Sequence, residues 1–401
     1  MLDGVYIAYW SLRDPLFQSQ SLPVVRALAR SGRRMAILTF EQPPWRLAGA
    51  AELALRQGLA GEGIEWQPLV YPTRPRGLST LLDVLLGLAV TLRLSLTRGV
   101  RLFHGRGTVP CAIARLAARL SRARFFNDAD GPLSQEYVDA RLWRAGSPLH
   151  SITRRSERRC LRDADAIAVL TERRRREVVP EARSPVDVLP CGVDLERFAP
   201  GAEPGRLRGE LGLTGRVLVY AGKTGGWYLT EPMLDFAAAF NRVVGGASLL
   251  VLTNEDPGAF LVPAAARGLP CVVRQAAPEE MPRYLSAADA GLSFRIDAPS
   301  QAACSPIKNG EYLASGLPIV TTAGVGDYSA LVEARRVGVV VAGLAAEPLH
   351  EAALDLERLL RDTDLPRRCR DTARDTVGLR EVVLPRYLDI YRRLLGDPTG
   401  A

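Results

Sequence analysis

The chain has 401 residues, 47% apolar and 24% charged, and this ordinary globular composition excludes a disordered, collagen-like or coiled-coil protein. At roughly 150 residues per domain, the length is enough for two or three domains with sizeable cores. The six cysteines are far apart and form no C-x-x-C pair, which argues against a zinc module or a disulfide scaffold and suits a reducing compartment.

The first half alternates short apolar runs with helical segments, a pattern typical of βαβ units and a parallel sheet. The first run, GVYIAYW, has no basic segment before it, so it predicts a strand and not a signal peptide. The strands predicted after it are RRMAILTF, RLFHGR, ARFFND and ADAIAVLT, with helices at 20–31, 79–98 and 109–121. The most apolar stretch, 84–92, is about nine residues long, whereas a membrane span needs about 20. We therefore expect a cytoplasmic protein, which can still lie on a membrane surface.

Positive charge is concentrated in the first half. The net charge is +8, and residues 1–200 contain 30 basic and 20 acidic side chains. One predicted helical face carries five arginines, Arg154, Arg155, Arg158, Arg159 and Arg162. Two interpretations stay open: a solvated helix face, or a contact with anionic lipid or a pyrophosphate-linked acceptor. Nucleic acid is disfavoured as a partner, because no aromatic–basic interleaving and no known nucleic-acid module occurs.

A second series of apolar runs follows a Pro/Gly-rich passage at 198–215, which marks a domain boundary. Its predicted strands are RVLVYAG, ASLLVLTN, LPCVVRQ, AGLSF, LPIVTT and VGVVVA. We predict an α/β fold of two Rossmann-like doubly wound domains, 1–197 and 198–379, and a C-terminal helix at 380–401 that can return to the N-terminal domain. Such domains bind ligands at the carboxyl ends of their strands, so the default active site is a cleft between two facing domains. No G-x-G-x-x-G follows the first strand and no Walker A motif occurs, which disfavours NAD and P-loop chemistry.

The strongest local motif is SPIKNGEYLASGLP, residues 305–318, in which a loop enters a short helix. Backbone amides at such a helix start bind phosphate. Lys308 adds positive charge there. It is one of only two lysines among 52 basic residues, the other being Lys223, and a compact ammonium suits phosphate oxygens. Glu311, one turn further on, is placed to accept hydrogen bonds from a ribose diol; the alternative is a helix-capping or ion-pair role.

The segment SPIKNGEYLASGLPIVTT resembles the donor-sugar segment of the GT-B glycosyltransferases of the glycogen-synthase-like, sugar-nucleotide-dependent type (family 4-like). The stretches DADAIAVLTERRRREVV, LPCGVDLERFAP, VLVYAGKTGGWY and AGVGDYSALVEARRVGVVV resemble further parts of the same family. The resemblance covers residues 160–345 well and the first 150 residues loosely. It implies a retaining, metal-independent transfer of a sugar from a nucleotide-diphosphate donor, with no tightly bound cofactor. The donor would bind the C-terminal domain and the acceptor the N-terminal domain.

The resemblance also assigns positions within the donor segment. Glu311 matches the second glutamate of the family's Glu-x7-Glu motif, which contacts the ribose, whereas the first glutamate would fall at Ala303. The residues that would face the diphosphate are Ser305, Pro306, Ile307 and Lys308. The missing carboxylate at Ala303 leaves open how the donor's sugar is oriented.

Two glycine-rich turns are further donor-site candidates. Gly222, Gly225 and Gly226 let the backbone approach a phosphate closely, and Lys223 would neutralise the leaving diphosphate. A plain strand–helix turn is the alternative. Gly326 follows the strand LPIVTT and either shapes the sugar pocket or closes a tight turn with Asp327 as helix cap.

The N-terminal domain supplies candidate catalytic residues at the ends of two predicted strands. His104 can polarise a hydroxyl, and Arg106 can hold phosphate. Asp128 or Asp130 can accept the proton of the acceptor hydroxyl. The alternatives are a structural histidine and aspartates that serve only as turn residues. An Asp-x-Asp metal site is disfavoured because that motif belongs to a different fold class, so we expect no metal.

We therefore expect a glycosyltransferase, transferring a hexosyl or related group, that acts in surface polysaccharide, glycolipid or secondary-metabolite glycosylation. Its partners would be a nucleotide sugar, a hydroxyl acceptor (a sugar, a lipid-linked sugar or a small molecule) and an anionic membrane surface. A catalytically silent sugar-nucleotide binder is one alternative, motivated by Ala303 and Cys191. A GT-B sugar-nucleotide epimerase is the other.

Overall fold

A computed structural model describes residues 1–71, 78–201 and 204–397 of the chain. The chain forms two compact units. Unit 1 consists of Met1–Pro190 and Val383–Ala401, and unit 2 consists of Cys191–Val382. Each unit is built around its own parallel sheet.

The strands, in chain order, are β1 Leu2–Ala8, β2 Met35–Glu41, β3 Ile64–Val70, β4 Val100–Arg106, β5 Arg124–Ala129, β6 Ala166–Val169, β7 Val186–Val188, β8 Arg216–Ala221, β9 Ala247–Leu252, β10 Cys271–Arg274, β11 Ala290–Ser293, β12 Ile319–Thr322 and β13 Gly338–Val341.

The α-helices are α1 Leu22–Arg30, α2 Ala50–Gly61, α3 Leu78–Arg98, α4 Thr108–Ser121, α5 Leu133–Asp139, α6 Pro148–Asp163, α7 Glu172–Val178, α8 Pro204–Leu211, α9 Thr230–Val244, α10 Gly258–Ala266, α11 Met281–Leu285, α12 Ile307–Ala314, α13 Tyr328–Arg335, α14 Ala346–Leu359, α15 Leu365–Val377 and α16 Leu384–Leu395. Short π-helical turns lie at Phe17–Ser21 and Leu379–Val383, and 3-10 turns at Pro278–Glu280 and Pro299–Ala303.

The sheet of unit 1 has seven parallel strands in the order β3-β2-β1-β4-β5-β6-β7. Every residue of β1 and β2 is buried, which explains their continuous apolar sequence, since helices cover both faces of a parallel sheet. The strand order reverses between β1 and β4, and their register pairs Ala8 with Arg106. The carboxyl ends of these two strands therefore border the crevice in which doubly wound domains bind ligands.

The sheet of unit 2 has six parallel strands in the order β10-β9-β8-β11-β12-β13, with apolar cores on both faces. Its order reverses between β8 and β11. The two parallel sheets with covering helices confirm the predicted α/β class. Unit 1 contains two strands that the sequence patterns did not predict, β3 and β7, both at the edges of its sheet. Strand β3 (IEWQPLV) is interrupted by polar residues and by Pro68, and β7 (VDV) has only three residues, so neither forms a continuous apolar run.

The sequence analysis expected no apolar segment long enough to cross a membrane. Judged by length and composition alone, this expectation is wrong. Among the described residues one helix, Ser79–Arg98, is long and apolar enough, and 22% of its most apolar 18-residue stretch is buried. The apolar character continues past the single charges of Asp83 and Arg93, which bounded the nine-residue run recognised in the sequence.

Candidate functional site

Helix α12 lies at the strand-order reversal of unit 2. It starts after Pro306, whose extended backbone (φ −63°, ψ 118°) leads into the first turn, and ends before Gly316, which has φ 81°. The Tyr312 ring covers Gly291 of β11, where a Cβ would lie 2.2 Å from the ring. The Tyr312 hydroxyl accepts a hydrogen bond from the backbone N–H of Ala221 at the end of β8 (2.9 Å). These contacts hold α12 against both strands that border the reversal.

Lys308 is a buried cation without a hydrogen-bond partner. Its Nζ lies 4.2 Å from the ring centroid of Tyr220 and 5.0 Å from that of Tyr228. Burial and the neighbouring Arg295 lower the pKa of Lys308 to about 7. Aromatic faces stabilise an ammonium only in part, so this side chain gains free energy when an anion binds beside it.

Arg295 is a second buried cation, which the sequence analysis did not identify. It follows β11, is 7% exposed, and its guanidinium carbon lies 4.8 Å from the Tyr228 ring centroid. Its Nε donates a hydrogen bond to Gln301 Oε1 (2.6 Å). Within the described part of the chain neither Arg295 nor Lys308 forms an ion pair. Two neighbouring buried cations that form no ion pair are the chemistry of an anion site. The sequence signal was available, since an arginine directly follows a predicted strand.

Glu311 and Asn309 lie on the same helix as Lys308. Burial raises the pKa of Glu311 to about 7, although Arg197 and Lys308 act to lower it. Asn309 is fully buried, and neither of its side-chain amide atoms has a hydrogen-bond partner. Partnerless buried polar groups are rare in proteins, and a bound ligand is one way to satisfy them.

The glycine-rich turn after β8 lies beside Lys308. A Cβ on Gly222 would lie 3.3 Å from Lys308 Nζ. Gly225 (φ 66°) and Gly226 (φ 59°) have the left-handed conformation that glycine adopts most readily. The turn is held on one side by Glu255, whose Oε2 accepts from the Thr224 backbone N–H at 2.8 Å.

Backbone hydrogen bonds also join this turn to the end of β11, from Leu229 to Phe294 (3.2 Å) and from Ile296 to Trp227 (3.0 Å). Lys223, by contrast, is exposed to solvent. The structure therefore places Gly222 next to Lys308, whereas the role predicted for Lys223 stays a prediction.

The remaining donor-segment candidates are mostly buried backbone positions. Ser305 Oγ accepts a hydrogen bond from the Cys191 backbone N–H (3.2 Å), and Gly326 donates its N–H to the Gln301 carbonyl (2.8 Å). Asp327 occupies the N-cap position of α13, but its side chain makes no capping hydrogen bond. Ala303, at the position of the family's first glutamate, is 2% exposed. Because this residue is alanine, it supplies no carboxylate there.

The structure brings together three of the four N-terminal candidates, in the interior of unit 1. His104 and Asp128 are fully buried and Arg106 is 5% exposed. Asp128 Oδ2 accepts hydrogen bonds from Arg106 Nη1 (2.8 Å) and from the hydroxyl of Tyr387 on α16 (2.6 Å). The two ring nitrogens of His104 lie 3.3 Å from Asp128 Oδ2 and 3.0 Å from the Tyr391 hydroxyl. We call these five residues the anchor cluster, because they join the sheet to the C-terminal helix.

The anchor cluster has a defined charge state. Burial lowers the pKa of His104, so its ring is neutral. Although burial acts to raise the pKa of Asp128, Arg106 and the hydrogen bonds from His104 and Tyr387 lower it to about 2. Asp128 Oδ1 is buried without a hydrogen-bond partner. The catalytic roles predicted for His104 and Asp128 stay predictions.

Asp130 differs from the other N-terminal candidates. It is only half-buried and lies beyond the end of β5, beside Gly107 at the start of α4. Burial raises its pKa to about 6, with Arg106 acting in the opposite direction. A raised pKa gives Asp130 more proton affinity than an ordinary aspartate, which suits a general base. Over residues 1–71, 78–201 and 204–397, no group of three or more His, Cys, Asp or Glu side chains could hold a metal ion.

Solved structures with the same overall fold are known, although no family model and no curated protein matches the sequence. Sucrose-phosphate synthase from Thermosynechococcus elongatus is similar at a TM-score of 0.71 and 16% identity, covering 98% of this chain and 99% of that one. Anabaena HepE, solved in complex with UDP, is similar at 0.69 and 14%, covering 97% and 99%. A protein described as a UDP-N-acetylglucosamine 2-epimerase from Listeria monocytogenes is similar at 0.64 and 13%, covering 98% and 96%. At these identities the likeness shows the fold, which is GT-B.

Proposed function

We propose that this GT-B chain is a glycosyltransferase that moves a sugar, with retention, from a nucleotide-diphosphate donor to a hydroxyl acceptor. The carrying observation is the pair of buried cationic groups, Lys308 and Arg295, that both lie against the ring of Tyr228 and, among the described residues, form no ion pair. A diphosphate has the charge and size to satisfy both. The glycosyltransferases among the similar structures, including one solved with UDP, support the same reaction class.

The donor would lie across the carboxyl ends of β8 and β11. Lys308 and Arg295 would bind the diphosphate, together with the backbone at Gly222, and Glu311 would accept hydrogen bonds from the ribose. When the bond between the anomeric carbon and the phosphate oxygen breaks, negative charge grows on the leaving diphosphate. Preorganised cations stabilise that growing charge, so they lower the barrier as well as holding the donor.

The acceptor would bind unit 1. For retention, its oxygen would attack the anomeric carbon from the same face that the diphosphate leaves, and the hydroxyl would lose its proton as the new bond forms. Asp130 is the residue we assign to receive this proton, because its pKa is raised to about 6. We propose surface polysaccharide, glycolipid or secondary-metabolite glycosylation as the setting, in the cytoplasm or at the membrane surface, without a bound metal.

Variants of the donor site test the proposal, with UDP, uridine and pyrophosphate as probes. A hydrogen bond to a charged group is worth about 1.5–3 kcal/mol, so Lys308→Ala is expected to weaken UDP binding about 10- to 150-fold. Uridine binding should hardly change in this variant. Glu311→Gln should weaken UDP and uridine but spare pyrophosphate. Arg242→Ala removes an exposed arginine of α9 and serves as the control. UDP affinity in Lys308→Ala equal to that in the control would remove the donor site.

Incubation with UDP-sugars in water separates the reaction classes. Slow release of free sugar and UDP without acceptor is expected of a transferase. Binding of a UDP-sugar without any product would indicate a catalytically silent sugar-nucleotide binder. The buried Ala303, which lacks the carboxylate of a glutamate, favours this alternative. Conversion of the sugar nucleotide to its epimer would indicate an epimerase.

A further inference from the structure

Helix α3 has apolar side chains on its outer side as well as on the side that packs against the core of unit 1. Four leucines in the first half of the helix are strongly exposed: Leu81 58%, Leu82 47%, Leu85 54% and Leu86 42%. We call these four the leucine face. The buried stripe of the same helix carries Ser79, Asp83, Gly87 and Thr91 at intervals of four residues. A helix at a water-exposed surface turns its apolar stripe inward, so this arrangement indicates an apolar environment outside.

Specific contacts hold α3 in this orientation. The hydroxyl of Tyr9 donates a hydrogen bond to Asp83. Leu94, further along the helix, is 3% exposed and belongs to the apolar core of unit 1. Ile113 of α4 lies so close to Gly87 that a Cβ there would meet it at 2.8 Å. Because one side of α3 is fixed to the protein, the helix is suited to lie in a membrane interface and not to cross it.

Positive charge lies on the same layer of helices. Helix α4 packs against α3 on one side and α6 on the other. The outer side of α6 carries the five arginines at 154, 155, 158, 159 and 162, which we call the arginine face and which line a recess of about 850 Å³. In the part of the chain that the structure describes, Arg158 alone of these forms an ion pair, with Glu181. Ile152, beside them on α6, is 67% exposed.

We propose that the layer α3–α4–α6 docks on a bilayer that contains anionic lipid. The leucine face enters the interface between headgroups and acyl chains, and the arginine face binds lipid phosphates. Exposed apolar area next to unpaired arginines fits an anionic bilayer better than a second protein surface, because a bilayer supplies both an apolar phase and a dense row of phosphates.

Docking in this way also indicates the class of acceptor. Helices of parallel α/β units begin at the carboxyl edge of the sheet, and the leucine face lies in the first half of α3. The edge of unit 1 that would receive the acceptor therefore lies near the lipid surface. We infer a lipid-linked acceptor with a phosphate-bearing headgroup, an inference that rests on the proposed function.

Flotation with lipid vesicles tests the docking surface on the full chain. The protein should float with phosphatidylcholine vesicles that contain phosphatidylglycerol, less with phosphatidylcholine alone, and less as salt increases. Reversing Arg155 and Arg159 together (R155E/R159E) should weaken binding to the anionic vesicles about tenfold or more, since each arginine contributes about 1 kcal/mol. Leu85→Glu should weaken binding to both kinds of vesicle.

Matched controls lie in unit 2. Leu354→Glu on α14, where Leu354 is 41% exposed, and Arg242→Glu on α9 should leave vesicle binding unchanged. Equal flotation of Leu85→Glu and Leu354→Glu, or no flotation of the wild-type chain, would overturn the proposal. Sedimentation gives a third outcome that would overturn the proposal. If the wild-type chain is a dimer, and Leu85→Glu converts it to a monomer without weakening vesicle binding, then the leucine face joins two copies of the chain.

UDP affinity measured on the same samples keeps the two proposals distinguishable. All four variants should bind UDP as the wild-type chain does, since none lies in the donor site. Failure of the wild-type chain to bind UDP would contradict the proposed function while leaving the docking result valid.

Discussion

At the scale of single residues, the candidate donor site depends on how burial changes two ordinary side chains. The Lys308 ammonium would have a pKa near 10.5 in water, and burial beside Arg295 lowers it to about 7. Lysine responds in this way because its compact ammonium depends strongly on hydration. Burial of this ammonium costs free energy while no anion is bound, and a bound anion would recover that free energy.

This shift predicts that UDP binding takes up a proton at pH 8. Free Lys308 is then mostly neutral, and a bound diphosphate raises its pKa above 8, so nearly one proton is bound with the nucleotide. Calorimetric titration in two buffers of different ionisation enthalpy measures the number of protons taken up for each UDP bound. Glu311→Gln should retain the uptake, because Glu311, with a pKa of about 7, is already mostly ionised at pH 8. Uptake by Lys308→Met equal to that of the wild-type chain would assign the proton elsewhere.

At the scale of elements, the anchor cluster explains how α16, far along the sequence, belongs to the sheet of unit 1. Arg101 and Arg33 each donate a hydrogen bond of 2.6 Å to the last carbonyls of the helix, those of Leu395 and Gly396. Cations at a helix C-terminus complement its dipole. Tyr387 and Tyr391 bring the other contacts, to Asp128 and His104.

Removing the charge of Asp128 should therefore loosen α16. In Asp128→Asn, Arg106 keeps its charge without a counter-ion, and we expect the free energy of unfolding to fall by about 3–5 kcal/mol at neutral pH. Urea unfolding measures this change, and hydrogen exchange should increase across 384–395. Asp389→Asn, on the exposed side of the same helix, is the control and should change stability by less than about 1 kcal/mol.

The same variant has a pH signature. The folded-state pKa of Asp128 is about 2, below its ordinary value of 3.8, so the carboxylate stabilises the fold above pH 4 and this contribution is lost as the pH falls towards 2. Asp128→Asn should lack that part of the acid dependence. A variant that is as stable as Asp389→Asn at every pH would show that the anchor cluster does not hold the helix.

At the scale of the whole molecule, unit 2 is inserted into unit 1, and its two ends are joined to each other. Val193 donates its N–H to the Val377 carbonyl, and Leu379 donates to the Val193 carbonyl, both at 2.9 Å. Such closed termini are typical of a domain that can fold alone.

We therefore predict that a fragment of residues 191–382 folds cooperatively and binds UDP. At 100 times its dissociation constant UDP should stabilise the fragment by about 2.7 kcal/mol, visible as a rise in Tm. The same fragment with Lys308→Ala should show little shift. A fragment that does not unfold cooperatively would mean that unit 2 needs the rest of the chain.

Much of the fold could be predicted because buried parallel strands must be apolar along their whole length. All six strands of unit 2 were recognisable from this pattern, including its edge strands β10 and β13. Strands β3 and β7 were not, because β3 (IEWQPLV) is interrupted by polar residues and Pro68 and β7 (VDV) has only three residues. Turn chemistry was equally local, and it placed Gly222 and Lys308 among the donor candidates. The apolar face of α3 was underestimated, because single charges interrupt it in the sequence while Asp83 turns inward in the fold.

The sequence by itself determined the α/β class and the two-unit pattern of strands, because these depend on composition and periodicity. It also predicted the candidate donor segment around Lys308 and Glu311 from a local motif. Only the tertiary structure decided which side chains meet. His104 lies within hydrogen-bond distance of Tyr391, which is 287 positions away in the sequence. Arg295, which follows β11, and Lys308, on α12, both lie against the ring of Tyr228. Such contacts leave no periodic trace in a single sequence, since they are set by packing between elements that are distant along the chain.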